Sequence, residues 1–266
     1  MQLIVPMAGL GQRFVDAGFA TPKPLVDISG EPMIVRVVRE LPSASRIVFI
    51  VNDEHVPRHA IDAVLRSHFP RATIVATDGL TAGQACTVRL AGDSLDLDGD
   101  AFVAACDATH LYDRGRFDAL RSDPSVDAIV WTYRGEPRVL ASPRSFGWVR
   151  IDEHASDCRN VVGVSCKQPI SDRPLADHVL SGFFWFRSAR RLMQAIDELV
   201  ESGERINNEF YLDVVPNRLI AAGGKVAAFE VDKYIGWGTP EDVRDYRRWE
   251  RHFAERDAGT RLRWAS

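Results

Sequence analysis

Hydrophobic positions along the chain follow two alternating rhythms. Gln2 to Met7 is an apolar run of strand length, and Gly9 and Gly11 cut it short. Pro32 to Leu41 has the spacing of an amphipathic helix, and Arg46 to Val51 is a short β-branched run. Val56, Ala60, Ile61, Val64, Leu65 and Phe69 recur at helical intervals and predict one helix over Val56 to Phe69. Ala72 to Ala76 then reads as strand, Thr81 to Leu90 as helix and Ala101 to Cys106 as a buried strand. Strands alternating with helices at this pace imply right-handed βαβ units and a mostly parallel sheet. From Ala128 the texture changes. Ala128 to Tyr133, Gly147 to Ile151, Val161 to Ser165 and Leu180 to Phe186 are strand-like pieces joined by polar loops, expected as a small additional sheet. Ala189 to Glu201 and Phe210 to Ala221 are helical by spacing, and Lys225 to Val231 is a last strand. The final helix has a strong start signal, with Thr239 as N-cap, Pro240 in the first turn, then Glu241 and Asp242. The expected class is α/β, Rossmann-like, with a mostly parallel central sheet and flanking helices.

Composition narrows what such a chain can do. Its 266 residues are 45% hydrophobic and 26% charged, enough for one large α/β domain or two small ones. Thirty-seven acids against 33 bases give a net charge of -4. That balance argues against a broad nucleic-acid surface, though not against a local basic pocket. The longest apolar stretches, Ile47 to Val51 and Ala101 to Cys106, are far too short to span a bilayer. No secretory leader is expected, because the opening lacks a basic segment and its apolar run is brief. Cys86, Cys106, Cys158 and Cys166 form no C-x-x-C or finger spacing and read as reduced thiols of a cytoplasmic protein.

Candidate chemistry concentrates in Pro6-Met7-Ala8-Gly9-Leu10-Gly11-Gln12-Arg13-Phe14 and Thr21-Pro22-Lys23-Pro24-Leu25. Small residues after a strand let the backbone approach a ligand and aim several N–H groups at it, forming an anion nest. Arg13 and Lys23 bring positive charge to the same mouth, suited to a triphosphate. A dinucleotide-binding turn would need a glycine where Phe14 stands, and a Walker loop is absent. A tight turn without a ligand would also use two glycines.

The longer pattern resembles the nucleotidyltransferases that activate sugar phosphates and related small phosphates. Their fingerprint is a glycine loop with an arginine, a Pro-Lys-Pro-Leu, then a Gly-x-Pro leading a helix, here Gly30-Glu31-Pro32-Met33. Asn207-Asn208-Glu209-Phe210-Tyr211 and Trp237-Gly238-Thr239-Pro240-Glu241-Asp242 follow in the family's order, so the resemblance covers nearly the whole chain. The opening looks most like the branch of capsule and surface-polysaccharide biosynthesis. The resemblance implies a single GT-A-like nucleotidyltransferase domain over residues 1–266. Its nucleotide-binding part would be about 1–127, its acceptor-binding part about 128–235, and 236–266 a C-terminal helix.

It also implies roles. Met7, Ala8, Gly9, Leu10 and Gly11 would line the nucleotide site with Gly79, and Gln84 would read the base edge through its amide. Arg13 and Lys23 would hold the pyrophosphate. Asp107, at the carboxyl end of a strand, would hold Mg2+ against the phosphates, although a lone Asp there more often caps a helix. The family's second aspartate falls on Gly236. Asp232 is a weak substitute, sharing a strand face with residue 236 but about 13 Å away along it. Lys167 would bind the acceptor phosphate. The glutamate that usually precedes that lysine is Cys166, which puts a standard hexose 1-phosphate acceptor in doubt. Gly182 would line the acceptor pocket, and Asn208 and Glu209 would meet acceptor hydroxyl or amine groups, unless Glu209 only caps a helix. The implied partners are a nucleoside triphosphate, CTP slightly ahead, and a phosphorylated small molecule. Neither nucleic acid nor membrane is expected, and a homo-oligomer is left open. Two rivals stand beside this reading. A glycosyltransferase of related fold is disfavoured because Asp107-Ala108-Thr109 lacks an Asp-x-Asp. A non-catalytic module is suggested by the lost second aspartate.

Overall fold

The computed structural model describes residues 1–152 and 159–264, with side chains as far as Arg256. Thirteen strands and ten α-helices are assigned among them. The chain begins β1 (Gln2–Met7), α1 (Gln12–Asp16), β2 (Asp27–Ile28), β3 (Glu31–Pro32), α2 (Met33–Glu40) and β4 (Arg46–Val51). Then come α3 (His55–His59), α4 (Ile61–His68), β5 (Thr73–Ala76), α5 (Gln84–Arg89), β6 (Ala101–Ala104) and β7 (Ala108–Leu111). They are followed by α6 (Arg114–Ser122), β8 (Ala128–Tyr133), α7 (Arg138–Ala141), β9 (Gly147–Ile151), β10 (Val161–Cys166) and β11 (His178–Phe186). The chain closes with α8 (Ala189–Ser202), α9 (Val215–Ala221), β12 (Val226–Glu230), β13 (Lys233–Gly236) and α10 (Pro240–Trp264).

Two compact units share these elements. The first comprises Met1–Gly9, Pro42–Ala105 and His110–Tyr234; the second comprises Leu10–Leu41, Cys106–Thr109 and the chain from Ile235 onward. The first unit is built on the expected α/β plan. β1 pairs in parallel with β4 and β6, and β4 in parallel with β5. All six residues of β1 are buried, the continuous apolar run of a strand covered on both faces. The later strands, expected as an additional sheet, join the same nine-stranded sheet through β11. β11 runs antiparallel to β6, β8 and β9, while β12 lies parallel to β8.

Each face of this sheet has its own packing. Val88 of α5 and Leu192, Ile196 and Leu199 of α8 join Ile4, Ile50, Val103 and Phe184 in one apolar cluster. Elsewhere Trp131 is ringed by Phe102, Phe117, Phe183 and Phe229 at centroid distances of 5.1–5.7 Å, edge-on or tilted, as aromatic quadrupoles favour. His110 belongs to this aromatic layer, edge-on to Phe183 at 4.3 Å.

Three elements differ from the sequence reading. The single helix expected over Val56 to Phe69 is two, because Ala60 takes the left-handed conformation with φ 49° and caps α3 as it opens α4. Phe210 to Ala221 is helical only from a 3-10 turn at Leu212–Val214 onward, since the Phe210 peptide is engaged elsewhere. An unanticipated two-stranded ladder, β7 with β13, follows Asp107 directly. Among the described residues no helix is long and apolar enough to cross a membrane.

Candidate active site

Lys23 and Asp107 meet in the second unit. Gly11, at φ 62°, opens α1 in a conformation that favours glycine. A Cβ built on it would sit 3.2 Å from Lys23 Cβ, so the residue also lets the lysine segment lie close. Lys23 begins a 3-10 turn between Pro22 and Pro24, whose fixed φ stiffens its backbone. Its Nζ donates to Asp107 Oδ2 as a salt bridge, with the two side chains only 18% and 24% exposed. The ammonium also lies 5.9 Å from the Phe14 ring centroid. Burial works against the lysine charge, but the Asp107 carboxylate, with Cys106, more than offsets it and holds the Lys23 pKa above the ordinary value; Arg13 opposes. Asp107 is fixed in turn through its carbonyl, which accepts the Trp237 N–H at 2.7 Å.

The start of α10 faces the same carboxylate. Thr239 Oγ1 accepts from Asp242 N–H at 3.2 Å and Asp242 Oδ2 from Thr239 N–H at 2.9 Å, a reciprocal capping box. A Cβ on Gly238 would lie 3.4 Å from Asp107 Oδ2 and 3.8 Å from Asp242 Oδ2. Gly238 therefore leaves space that two carboxylate oxygens border. Asp242 entered the sequence reading only as a helix-start residue, and its place beside Asp107 was hidden because spacing shows the cap and not its neighbour. Among the described residues no three His, Cys, Asp or Glu cluster as metal ligands. An octahedral Mg2+ that keeps phosphate and water ligands needs only one or two protein carboxylates. Asp107, already carrying a cation and bordering open space, fits that requirement.

The first unit gathers a second set of expected residues. Gly83 has φ 130°, and a Cβ there would lie 2.5 Å from the Phe210 nitrogen and 2.6 Å from its oxygen. Phe210 N–H donates to Ala82 at 2.9 Å and Ala85 N–H to Phe210 at 3.0 Å. The Thr81–Gln84 and Asn207–Tyr211 motifs are thus one backbone-paired assembly. Gln84 is the first residue of α5, and its amide has no partner among the described residues. Asn207 and Asn208, both at positive φ, turn the chain so that Ile206 and Glu209 pair across it; Glu209 is exposed and caps no helix.

Lys167, at φ 60°, donates from Nζ to the Ser145 carbonyl at 2.8 Å and lies 5.5 Å from the Tyr211 ring. The preceding Cys166 is buried, its thiol pushed up by burial and then by Asp213. Asp213 was missed. Burial raises its pKa against a hydrogen bond with Cys166 and the charge of Lys167, and a Cβ on Gly147 would meet its Oδ2 at 2.6 Å. The available signal was an acid inside the apolar stretch Phe210 to Val215. Gly182 sits in the irregular part of β11, where its carbonyl accepts the Ala105 N–H at 3.1 Å.

The remaining candidates are placed as follows. Met7 and Ala8 are buried, Gly9, Leu10 and Arg13 exposed, and Gly79 lies in an exposed loop. Asn52, buried and also missed, donates from its amide to the Ala8 carbonyl at 3.1 Å and so steadies the end of β1. Asp232, the weaker metal candidate, belongs to the first unit and is tied to Arg116 at 3.2 Å in an exposed ion pair. Cys86, Cys106 and Cys166 are free thiols, as expected; Cys158 lies outside the described residues.

The fold defines an α/β class, with β1, β4, β5 and β6 in parallel at the heart of a mixed sheet. The chain belongs to the family of MobA-like NTP transferase domains, which matches residues 3–206, and its activity is nucleotidyl transfer. Its fold is similar to that of a nucleoside-diphosphate-sugar pyrophosphorylase from Vibrio cholerae RC9. The two are 22% identical, with a TM-score of 0.74 over 92% of this chain and 99% of that one. It is also similar to the inositol-1-phosphate CTP transferase of T. maritima, 14% identical, with a TM-score of 0.69 over 92% and 93% of the two chains. Comparison with curated protein sequences gives no match.

Proposed function

We propose that this protein transfers the nucleoside monophosphate group of a triphosphate, CTP ahead of the others, to a phosphorylated small molecule and releases pyrophosphate. The acceptor is a sugar phosphate or another phospho-metabolite, activated in the cytoplasm as a precursor for surface or capsular polysaccharide. The observation that carries the reading is the Lys23–Asp107 pair, which joins in one contact the two side chains expected to handle phosphate and cation. Two features favour a non-hexose acceptor and CTP. Cys166 stands where a sugar-binding glutamate is usual, and one protein of similar fold is named for a CTP transfer to inositol 1-phosphate.

A phosphate monoester has a second pKa near about 6, so at neutral pH it is mostly dianionic and nucleophilic without a general base. One of its oxygens attacks the α-phosphorus, the bond from that phosphorus to the bridging oxygen breaks, and the electron pair leaves with pyrophosphate. The protein's task is positioning and charge compensation. Arg13, Lys23 and the amides around Gly9 and Gly11 hold the leaving pyrophosphate. Gln84 and the Gly79 loop take the base. Lys167 orients the attacking phosphate, with Asn208, Glu209 and Gly182 around the rest of the acceptor. Asp107 would hold Mg2+, which when bound supplies charge neutralisation at the phosphates.

A pyrophosphate-release screen tests the proposal by crossing the common triphosphates with phosphorylated sugars, polyols, amino acids and amino alcohols. Pyrophosphate that appears only when one triphosphate and one acceptor are both present is the expected result. Release of nucleoside diphosphate from a nucleotide-sugar would instead favour glycosyl transfer.

A further inference from the structure

We infer that Lys23 is the resident counter-ion of Asp107 in the nucleotide-free protein and keeps a free divalent cation out until a triphosphate draws the ammonium away. The inference rests on the reading of Asp107 as the metal-holding carboxylate and adds an order of assembly to it. Both side chains are largely buried, and Lys23 bonds directly to Oδ2, the oxygen that borders the space beside Gly238. The lysine is anchored at its base, so that only its ammonium end can swing away from the carboxylate. Its Cβ is packed against Gly11, its backbone lies between two prolines, and its ammonium stands by the Phe14 ring. A divalent cation approaching that oxygen meets a like charge at contact range, in surroundings that screen it poorly. A triphosphate changes the balance, because its oxygens offer the ammonium other partners and bring the cation along as a chelate. Metal and nucleotide then bind with positive coupling, and by reciprocity each raises the affinity for the other.

Mn2+ serves as the probe, with free ion measured by electron spin resonance in titrations of the full chain. Without nucleotide, wild-type protein and Lys23→Arg are expected to take up little Mn2+. Lys23→Met should bind it at least about tenfold more tightly, and Lys23→Met combined with Asp107→Asn should lose that gain. Equal affinity in wild type and Lys23→Met, or no uptake by Lys23→Met, overturns the inference. If Lys23→Met fails to fold, the wild type alone decides: nucleotide-free Mn2+ uptake as tight as that seen with a triphosphate overturns it. A separate arm adds each common triphosphate with Mn2+ to the wild type. Recruitment of Mn2+ by none of them would bring down the nucleotidyl-transfer assignment of Asp107 itself, and with it this inference. Recruitment with an unchanged nucleotide-free affinity in Lys23→Met refutes only the order of assembly.

Discussion

Gly238 and His110 show what single residues do in this chain. Alanine at 238 brings a Cβ to 3.4 Å and 3.8 Å from the Asp107 and Asp242 oxygens, ordinary contact distances. Gly238→Ala is therefore expected to fold with stability within about 0.5 kcal/mol of wild type. The methyl group fills the space the metal–phosphate chelate would use, so turnover should drop about a hundredfold. Chemical denaturation and pyrophosphate release on the same preparation check both halves. His110 is buried with neither ring nitrogen hydrogen-bonded, and burial alone drives its pKa down to about 3. Between that value and the ordinary 6.5 the unfolded chain binds a proton that the folded one refuses. Its contribution to stability is therefore whole above pH 6.5 and falls as pH drops through the window, by up to about 1.4 kcal/mol per pH unit. His110→Phe should flatten that slope in urea melts at pH 4 to 6 and cost little at pH 7, because it removes a buried unpaired group.

Elements account for how far the fold could be read before it was seen. Gln2–Met7, Arg46–Val51, Ala128–Tyr133 and Gly147–Ile151 were legible to the residue, since each is an apolar run with turn or polar residues at its ends. The break at Ala60 was not, because alanine favours helix and its left-handed conformation is imposed from outside the local pattern. The ladder of β7 and β13 was too short for any periodicity to announce it. The start of α10 was legible in full through Thr239, and its capping box should show as a loss of about 1 kcal/mol in Thr239→Ala, measured by urea denaturation. In the site, Gly11, Lys23 and Asp107 were readable because motif order implies them. The pairing of Gly83 with Phe210 was not, because nothing in either segment names its distant partner. Gly83→Ala forces a side chain into the Phe210 peptide at a φ of 130°, and a loss of at least about 3 kcal/mol is expected from strain and displaced backbone together. Retention of wild-type stability in Gly83→Ala would show that this pairing is dispensable.

At the scale of the molecule, Gly11, Arg13, Lys23 and Asp107 belong to the second unit, and Gly9, Gly79, Gln84, Lys167, Gly182, Asn208 and Glu209 to the first. Nucleotidyl transfer makes a demand on the whole chain that glycosyl transfer or mere nucleotide binding does not. The α-phosphorus must leave the triphosphate attached to the acceptor, while the β- and γ-phosphates depart together. Parallel reactions with α-labelled and γ-labelled triphosphate, run with the acceptor found by screening, follow that partition directly. The account predicts α-label in a nucleotide–acceptor conjugate and γ-label in pyrophosphate. Both should fall at least about a hundredfold in a folded Lys23→Ala variant. Label that stays in nucleotide with the acceptor present, or a Lys23→Ala protein that transfers it at the wild-type rate, would contradict it.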